Sequence, residues 1–204
     1  MAKKYKNAET KVHPITIGAI LLFVVSMITL ILVLQPKPET TLTEKYLAAG
    51  ANSSLADEKY ALSKDNNLVV NNHLNNQWFG LKKGIFHEIE KDELTLILFA
   101  NPDNAASASA IAYVHYYLYT NPSTKALGES VKNLIHYSVS SGTGKNSMGK
   151  VLEKITEKLE LEEDELVATE MPVLVAFKNG KVVESLTTGL TPNSIRDFYL
   201  ELLK

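Results

Sequence analysis

The chain carries no cysteine. That one count removes disulfides, thiolate zinc sites, iron–sulfur clusters, lipid attachment at Cys and every thiol nucleophile, so any redox chemistry would belong to a bound cofactor. The histidines, at 13, 73, 87, 115 and 136, show no metal-ligand spacing. Ser141-Gly142-Thr143-Gly144-Lys145-Asn146 has a phosphate loop's glycines and lysine, but Val139 stands where its first glycine is required and Asn146 where Ser or Thr must follow. It reads as a flexible loop. No serine sits in a Gly-x-Ser-x-Gly setting, and Glu162-Glu163-Asp164-Glu165 reads as solvated charge rather than as paired catalytic carboxylates. Asn52-Ser53-Ser54 is a glycosylation acceptor only in a eukaryotic host. The residues therefore predict no catalytic group, no metal and no cofactor.

With 45% apolar and 22% charged residues over 204 positions, the chain is built to bury a core, and one domain plus an appendage fits its length. A body of about 150 residues buries roughly 68–70% of the surface its unfolded chain exposes, so no metal or crosslink is needed for folding. The charge is uneven. Four lysines face one glutamate before residue 15, residues 15 to 34 carry no charge, and 17 basic against 22 acidic residues follow. An acidic body with the single arginine Arg196 lacks the basic stripe that a phosphate backbone requires, which excludes nucleic acid as an expected partner.

Residues 15–34, ITIGAILLFVVSMITLILVL, would rise about 30 Å as a helix, the hydrocarbon thickness of a bilayer. Fourteen of these residues are Leu, Ile, Val or Phe, together worth on the order of −5 kcal/mol on an insertion scale. Lys3, Lys4, Lys6 and Lys11 precede the span, while Lys37 and Lys45 beyond it are offset by Glu39 and Glu44, so the positive-inside bias puts the N-terminus in the cytoplasm. Small residues suited to cleavage do not follow the apolar run, and the nearest cluster is Ala48-Ala49-Gly50-Ala51. The expectation is an uncleaved anchor: a cytoplasmic tail over 1–14, a transmembrane helix over 15–34, a linker or stalk over 35–65 opening on Pro36-Lys37-Pro38, and an extracytoplasmic domain over 66–204.

The body alternates helical and extended patterns. Residues 45 to 65 read as a helical stalk, and Leu68-Val69-Val70, flanked by asparagines, as a short strand. Trp78, Leu81, Ile85 and Ile89 fall at spacings of three and four, on one face of a helix ending near Asp92 that Gly80 and Gly84 weaken. Leu94 to Ala100 is an apolar run too short for a buried helix and reads as a strand covered on both faces. A helix follows, from the alanines at 105–112 through Tyr113, Tyr116, Tyr117 and Tyr119 to the break at Asn121-Pro122; its tyrosines read as packing, with a binding surface as the alternative. Ile135 to Val139 alternates as a strand, and Val151, Leu152, Ile155 and Leu159 stripe a helix. Val173 to Leu186 is a hairpin turning at Asn179-Gly180, and Thr191 caps a last helix opened by Pro192. A central mixed sheet flanked by helices, an α/β fold, follows from this order.

The run Met171-Pro172-Val173-Leu174-Val175-Ala176-Phe177-Lys178-Asn179-Gly180-Lys181-Val182-Val183, continuing through Gly189-Leu190-Thr191, resembles the cis-proline loop, hairpin and terminal helix of the thioredoxin superfamily. The strand at 94–100 and the helix after it are similar to the pair that presents that family's redox motif. The tether and short body also resemble bacteriocin-transport accessory proteins of Gram-positive bacteria. In this register the family's Cys-x-x-Cys falls on Asp103-Asn104-Ala105-Ala106, and its buried acid on Ile97. Disulfide exchange needs an attacking thiolate and a resolving sulfur, and neither is present. The resemblance thus implies a redox-inactive member rather than an enzyme, whose docking surface persists: Met171 would pair its backbone with an extended polypeptide, Pro172 would set the bend, and Asp103 and Asn104 would offer polar contacts at a helix N-terminus.

The expected function is a membrane-anchored binding or scaffold module at the plasma membrane of a Gram-positive-type bacterium, holding a protein or peptide partner outside the cytoplasm. Two alternatives stay open: a structural subunit recruited through its transmembrane helix, and an enzyme using a cofactor the sequence does not advertise.

Overall fold

A computed structural model describes residues 13–34, 41–53, 57–66, 68–131, 134–162, 165–168 and 170–204, with side chains in the first segment only to residue 29. The chain divides into two units, Met1–Glu39 and Thr40–Lys204. Most of the expected tail, the Pro36-Lys37-Pro38 spacer and Leu55 of the expected stalk lie outside the described residues.

The first unit contributes α1, Pro14–Leu34, 21 residues of almost unbroken apolar character. Its described side chains are all exposed, which an amphipathic helix of a soluble domain would not be. Among the described residues, no helix is long and apolar enough to cross a membrane.

The second unit is built on five strands: β1 (Val69–Val70), β2 (Thr95–Ala100), β3 (Leu134–Ser138), β4 (Val173–Lys178) and β5 (Lys181–Leu186), in the spatial order β1-β3-β2-β4-β5. β1, β3 and β2 run parallel, whereas β4 opposes β2 and β5 opposes β4. This is the expected mixed sheet. Among the described residues, six helices flank it: α2 (Leu42–Ala48), α3 (Ile85–Ile89), α4 (Ala105–Tyr119), α5 (Lys125–Ser130), α6 (Met148–Leu159) and α7 (Pro192–Glu201).

Because side chains alternate across a strand, each central strand feeds two cores. Leu96, Leu98 and Ala100 of β2 join Leu174 and Ala176 of β4 under α4 and α7. Ile97 and Phe99 join Val173, Val175 and Phe177 under α3 and α6. Every residue of β2 is buried, as an apolar run between two helical layers must be. At the hairpin, Asn179 and Gly180 take φ values of 53° and 73°, the pair of left-handed residues that a tight primed turn requires. Asn179 Nδ2 also donates to Asp92 Oδ1 at 2.7 Å, tying the turn to the loop before β2. Thr191 caps α7 in a reciprocal box with Ser194.

Beyond its two residues, β1 gives way to polar side chains along the outer side of β3. Asn72 Oδ1 accepts from the Ser138 N–H at 2.8 Å, Asn146 Nδ2 donates to the Ser138 carbonyl at 2.7 Å, and the Asn71 N–H donates to the His136 carbonyl at 3.1 Å.

Two expectations are corrected. Residues 45–65 are not a stalk: Tyr46, Ala51 and Leu62 are buried in the α4–α7 core, and Tyr60 sets its ring edge-on against Tyr113 and Tyr116 at 5.0 and 4.8 Å. The apolar spacing there is irregular because a short helix, a turn and a 3₁₀ turn at Glu58–Tyr60 each contribute one or two anchors. The same contacts make Tyr113 and Tyr116 packing groups, with Tyr117 inside the core, whereas Tyr119 is exposed. Second, no single helix runs from Trp78 to Asp92. Ile85 and Ile89 are buried on α3, but Trp78 and Leu81 sit on an exposed loop, where Trp78, Phe79 and Gly80 have φ of 53°, 54° and 87°. Left-handed backbone at two aromatic residues costs about 1 kcal/mol or more each, so helical spacing alone could not hold them. Gly84 ends the loop where a Cβ would stand 2.5 Å from the backbone of Leu74 and Asn75.

Candidate functional site

The C-terminal end of β2 turns sharply, and Asn101 organises the turn. Its Nδ2 donates to the Val139 carbonyl at 2.8 Å, its Oδ1 accepts from the Asp103 N–H at 2.9 Å, and its own N–H donates to Ser107 Oγ at 3.3 Å. One side chain thereby locks the end of β2 to the end of β3 and starts α4. Asn104 is the N-cap of α4, its Oδ1 accepting from the Ser107 N–H at 2.8 Å. Ala105 and Ala106 form the first turn, whose N–H groups have no intrahelical partner.

Across from this helix start, the chain enters β4 through Glu170, Met171 and Pro172. The Met171–Pro172 peptide bond is cis. Pro172 is buried and Met171 half-buried against the α3–α6 core. Two adjoining clefts lie between the segments. One, of about 340 Å³, is bordered by Asn104, Ala106, the Ser140–Gly142 loop, Glu170 and Met171. The other, of about 180 Å³, runs from Ala106 past Met171 and Pro172 to Thr187–Leu190. Among the described residues, the backbone N–H and C=O of Met171 have no hydrogen-bond partner.

Three of the four expected site residues, Asn104, Met171 and Pro172, therefore border one continuous groove. Asp103 does not. It lines a separate cleft of about 600 Å³ with Leu42, Lys45, Ala48 and Asn101, on the α2 side. Asn104, not Asp103, caps α4, and Asp103 lies on the other side of the turn. Asn101 was missed by sequence reasoning; an asparagine directly after a buried strand and before proline, able to bond backbone in both directions, was its only signal.

Chemically, the groove offers backbone hydrogen bonds, a thioether, a hydroxyl-bearing loop and the Glu170 carboxylate at its rim. Ile97 is fully buried in apolar surroundings. A different polar cluster lies under α4: His115 and His136 meet inside the core beside a cleft of about 350 Å³ bordered by Lys59, Asp65, His115 and Tyr119. Among the described residues, no group of three or more His, Cys, Asp or Glu side chains is placed to hold a metal.

No family model and no curated protein matches the chain. Among solved structures, it is similar to a thioredoxin from Trypanosoma brucei brucei, at 11% identity over 70% of this chain and 98% of that one, with a TM-score of 0.39. It is also similar to Malassezia sympodialis thioredoxin (Mala s 13), at 16% identity over 68% and 96%, TM-score 0.36. A third similarity is to a structure addressing thiol resolution in yeast mitochondrial 1-Cys peroxiredoxin, at 15% identity over 64% and 91%, TM-score 0.38. At these identities the similarities assign neither an activity nor a partner.

Proposed function

We propose that the chain is a redox-inactive, thioredoxin-like binding module, held by its apolar N-terminal helix at the plasma membrane with its body outside the cytoplasm, and that the groove beside Met171 takes an extended polypeptide. The observation that carries the docking role is the unpaired Met171 backbone facing the capped start of α4. An extended segment laid there gains main-chain hydrogen bonds at its centre and apolar contact with the Met171 thioether, which is strand addition on a small scale. The lysine-rich segment before the apolar run and its near-neutral far side support the orientation. The missing thiols support binding without exchange chemistry.

The test is crosslinking of the intact protein in its native membrane, comparing Met171→Asp with a variant whose residues 15–34 are replaced by an unrelated span. Docking in the groove predicts that Met171→Asp lowers the crosslinked polypeptide several-fold while the swapped span leaves it unchanged. The reverse pattern assigns the partner to the helix. Turnover of a disulfide or peroxide substrate by the purified protein defeats the inert assignment.

A further inference from the structure

The loop between β1 and α3 presents a run of strongly exposed apolar side chains. Trp78, Phe79 and Leu81 are 78%, 110% and 86% exposed, whereas the other exposed large apolar residues described in the body are the Val69–Val70 pair of β1 and single positions such as Val167 and Val183. Their exposure is built in. Gln77 and Lys82 exchange two backbone hydrogen bonds of 2.8 and 3.2 Å, which close a tight four-residue tip, and the left-handed run through Trp78, Phe79 and Gly80 turns both rings outward. The stem is tied down: Asn76 Oδ1 accepts from the Gly84 N–H, Asn71 Nδ2 donates to the Lys83 carbonyl, and Ile85 and Phe86 donate to the His73 and Leu74 carbonyls.

Charge sorts by depth on this loop. Lys82 and Lys83 follow the apolar tip, are exposed, and have no ion-pair partner among the described residues. Residues 71–84 contain no acid, although the body as a whole is acidic. Trp, Phe and Leu at the tip with lysines directly behind match a bilayer from acyl chain to phosphate: amphipathic rings settle at the interface while ammonium groups reach the headgroups. A protein partner would more commonly be met by a broad patch with a packed centre than by a narrow prow.

We propose that the Trp78–Leu81 tip inserts into the interface of an anionic lipid bilayer, with Lys82 and Lys83 on the lipid phosphates, giving the body a second hold on the membrane. This rests on the anchored reading above, which brings the body to a bilayer surface in the first place.

Trp78 is the chain's only tryptophan, so its fluorescence reports on this loop alone. The full chain is reconstituted into phosphatidylcholine vesicles with and without phosphatidylglycerol, and vesicle association is read by co-flotation. Insertion predicts a blue-shifted Trp78 emission that brominated acyl chains quench and aqueous iodide does not. Phe79→Ser with Leu81→Ser should return the emission to that of water with far-ultraviolet circular dichroism unchanged, and Lys82→Gln with Lys83→Gln should cut the bromolipid quenching several-fold, most in low salt. Co-flotation with an aqueous, unquenched Trp78 overturns the insertion and leaves the anchor standing. Failure to co-float overturns both. Shielding of Trp78 only on adding a protein partner overturns the lipid assignment in favour of that partner.

Discussion

His115 Nε2 lies 3.2 Å from His136 Nε2 inside the core, with ring centroids 5.4 Å apart and planes inclined by 14°. The centroid separation is about the nitrogen gap plus one ring radius at each end, so the rings meet edge to edge, nearly in one plane, and share one N–H···N hydrogen bond. Among the described residues, His136 Nδ1 is buried with no partner. An unpaired acceptor is tolerated better there than an unpaired N–H, so His136 donates from Nε2 and His115 carries its proton on Nδ1, toward the cleft it borders.

A further proton on this pair has only His136 Nδ1 to go to, where no acceptor waits. Burial accordingly pushes His115 down to about 4, and burial followed by the neighbouring His115 holds His136 well below the usual imidazole range. Both groups ionise more readily in the unfolded chain, so stability is complete above the unfolded value near 6.5 and falls as the pH drops from there toward about 4. The expected slope is about 1.4 kcal/mol per pH unit for each histidine. Urea midpoints measured across this window should decline steadily, and His136→Leu should flatten the decline. An unchanged slope in that variant would show that the pair is not the sensor.

Asn101 makes four hydrogen bonds across the turn that begins the groove, two of them through its side chain. Asn101→Ala leaves the Val139 carbonyl without its partner and frees the Asp103 N–H, at a cost of about 1–3 kcal/mol. Chemical denaturation should report that loss. Partner crosslinking at Met171 should weaken with it, because the start of α4 loses its tie to β3.

Asp103 and Met171 face different clefts. Asp103→Ala should therefore leave polypeptide capture unchanged to within about twofold, while Met171→Asp lowers it several-fold, read by the same crosslinking assay. Equal losses in the two variants would place the partner across the α2 side instead.

A Cβ at Gly128 would meet the Leu118 carbonyl oxygen at 2.3 Å, with Tyr119 Cδ1 at 3.2 Å. The close seat of α5 on α4, reinforced by a hydrogen bond from Thr124 Oγ1 to the Tyr117 carbonyl, admits no side chain there. Gly128→Ala should destabilise the body by about 1–3 kcal/mol in thermal or urea unfolding. A neutral result would mean that α5 shifts freely.

The central strands and their helices were legible because period-2 and period-3.6 patterns persist over whole elements: β2, β4 and the hairpin at Asn179-Gly180 announce themselves. Residues 41–62 were not, since anchors such as Tyr46 and Leu62 are far apart and α4, on which they pack, lies more than forty positions away. Trp78 and Leu81 misled because spacing of three and four is also met by chance on a left-handed loop. The groove was half legible. Met171 and Pro172 come from a run whose hairpin fixes its own register, whereas the turn after β2 depends on which residue caps α4, and the spacing of residue types does not decide between Asp103 and Asn104. The His115–His136 contact has no sequence signal at all, because it joins a helix to a strand 21 positions apart.

The asparagine side chains along the outer side of β3 have a consequence for behaviour at high concentration. A strand flank left bare is a template for another chain, but here Asn72 and Asn146 occupy the Ser138 amide and carbonyl that a visiting strand would need, and β1 occupies its neighbours. Intermolecular fibril growth along that flank is blocked by two amides rather than by a covering helix. Concentrated stocks of Asn72→Ala with Asn146→Ala should seed thioflavin-positive aggregates that the parent protein does not form.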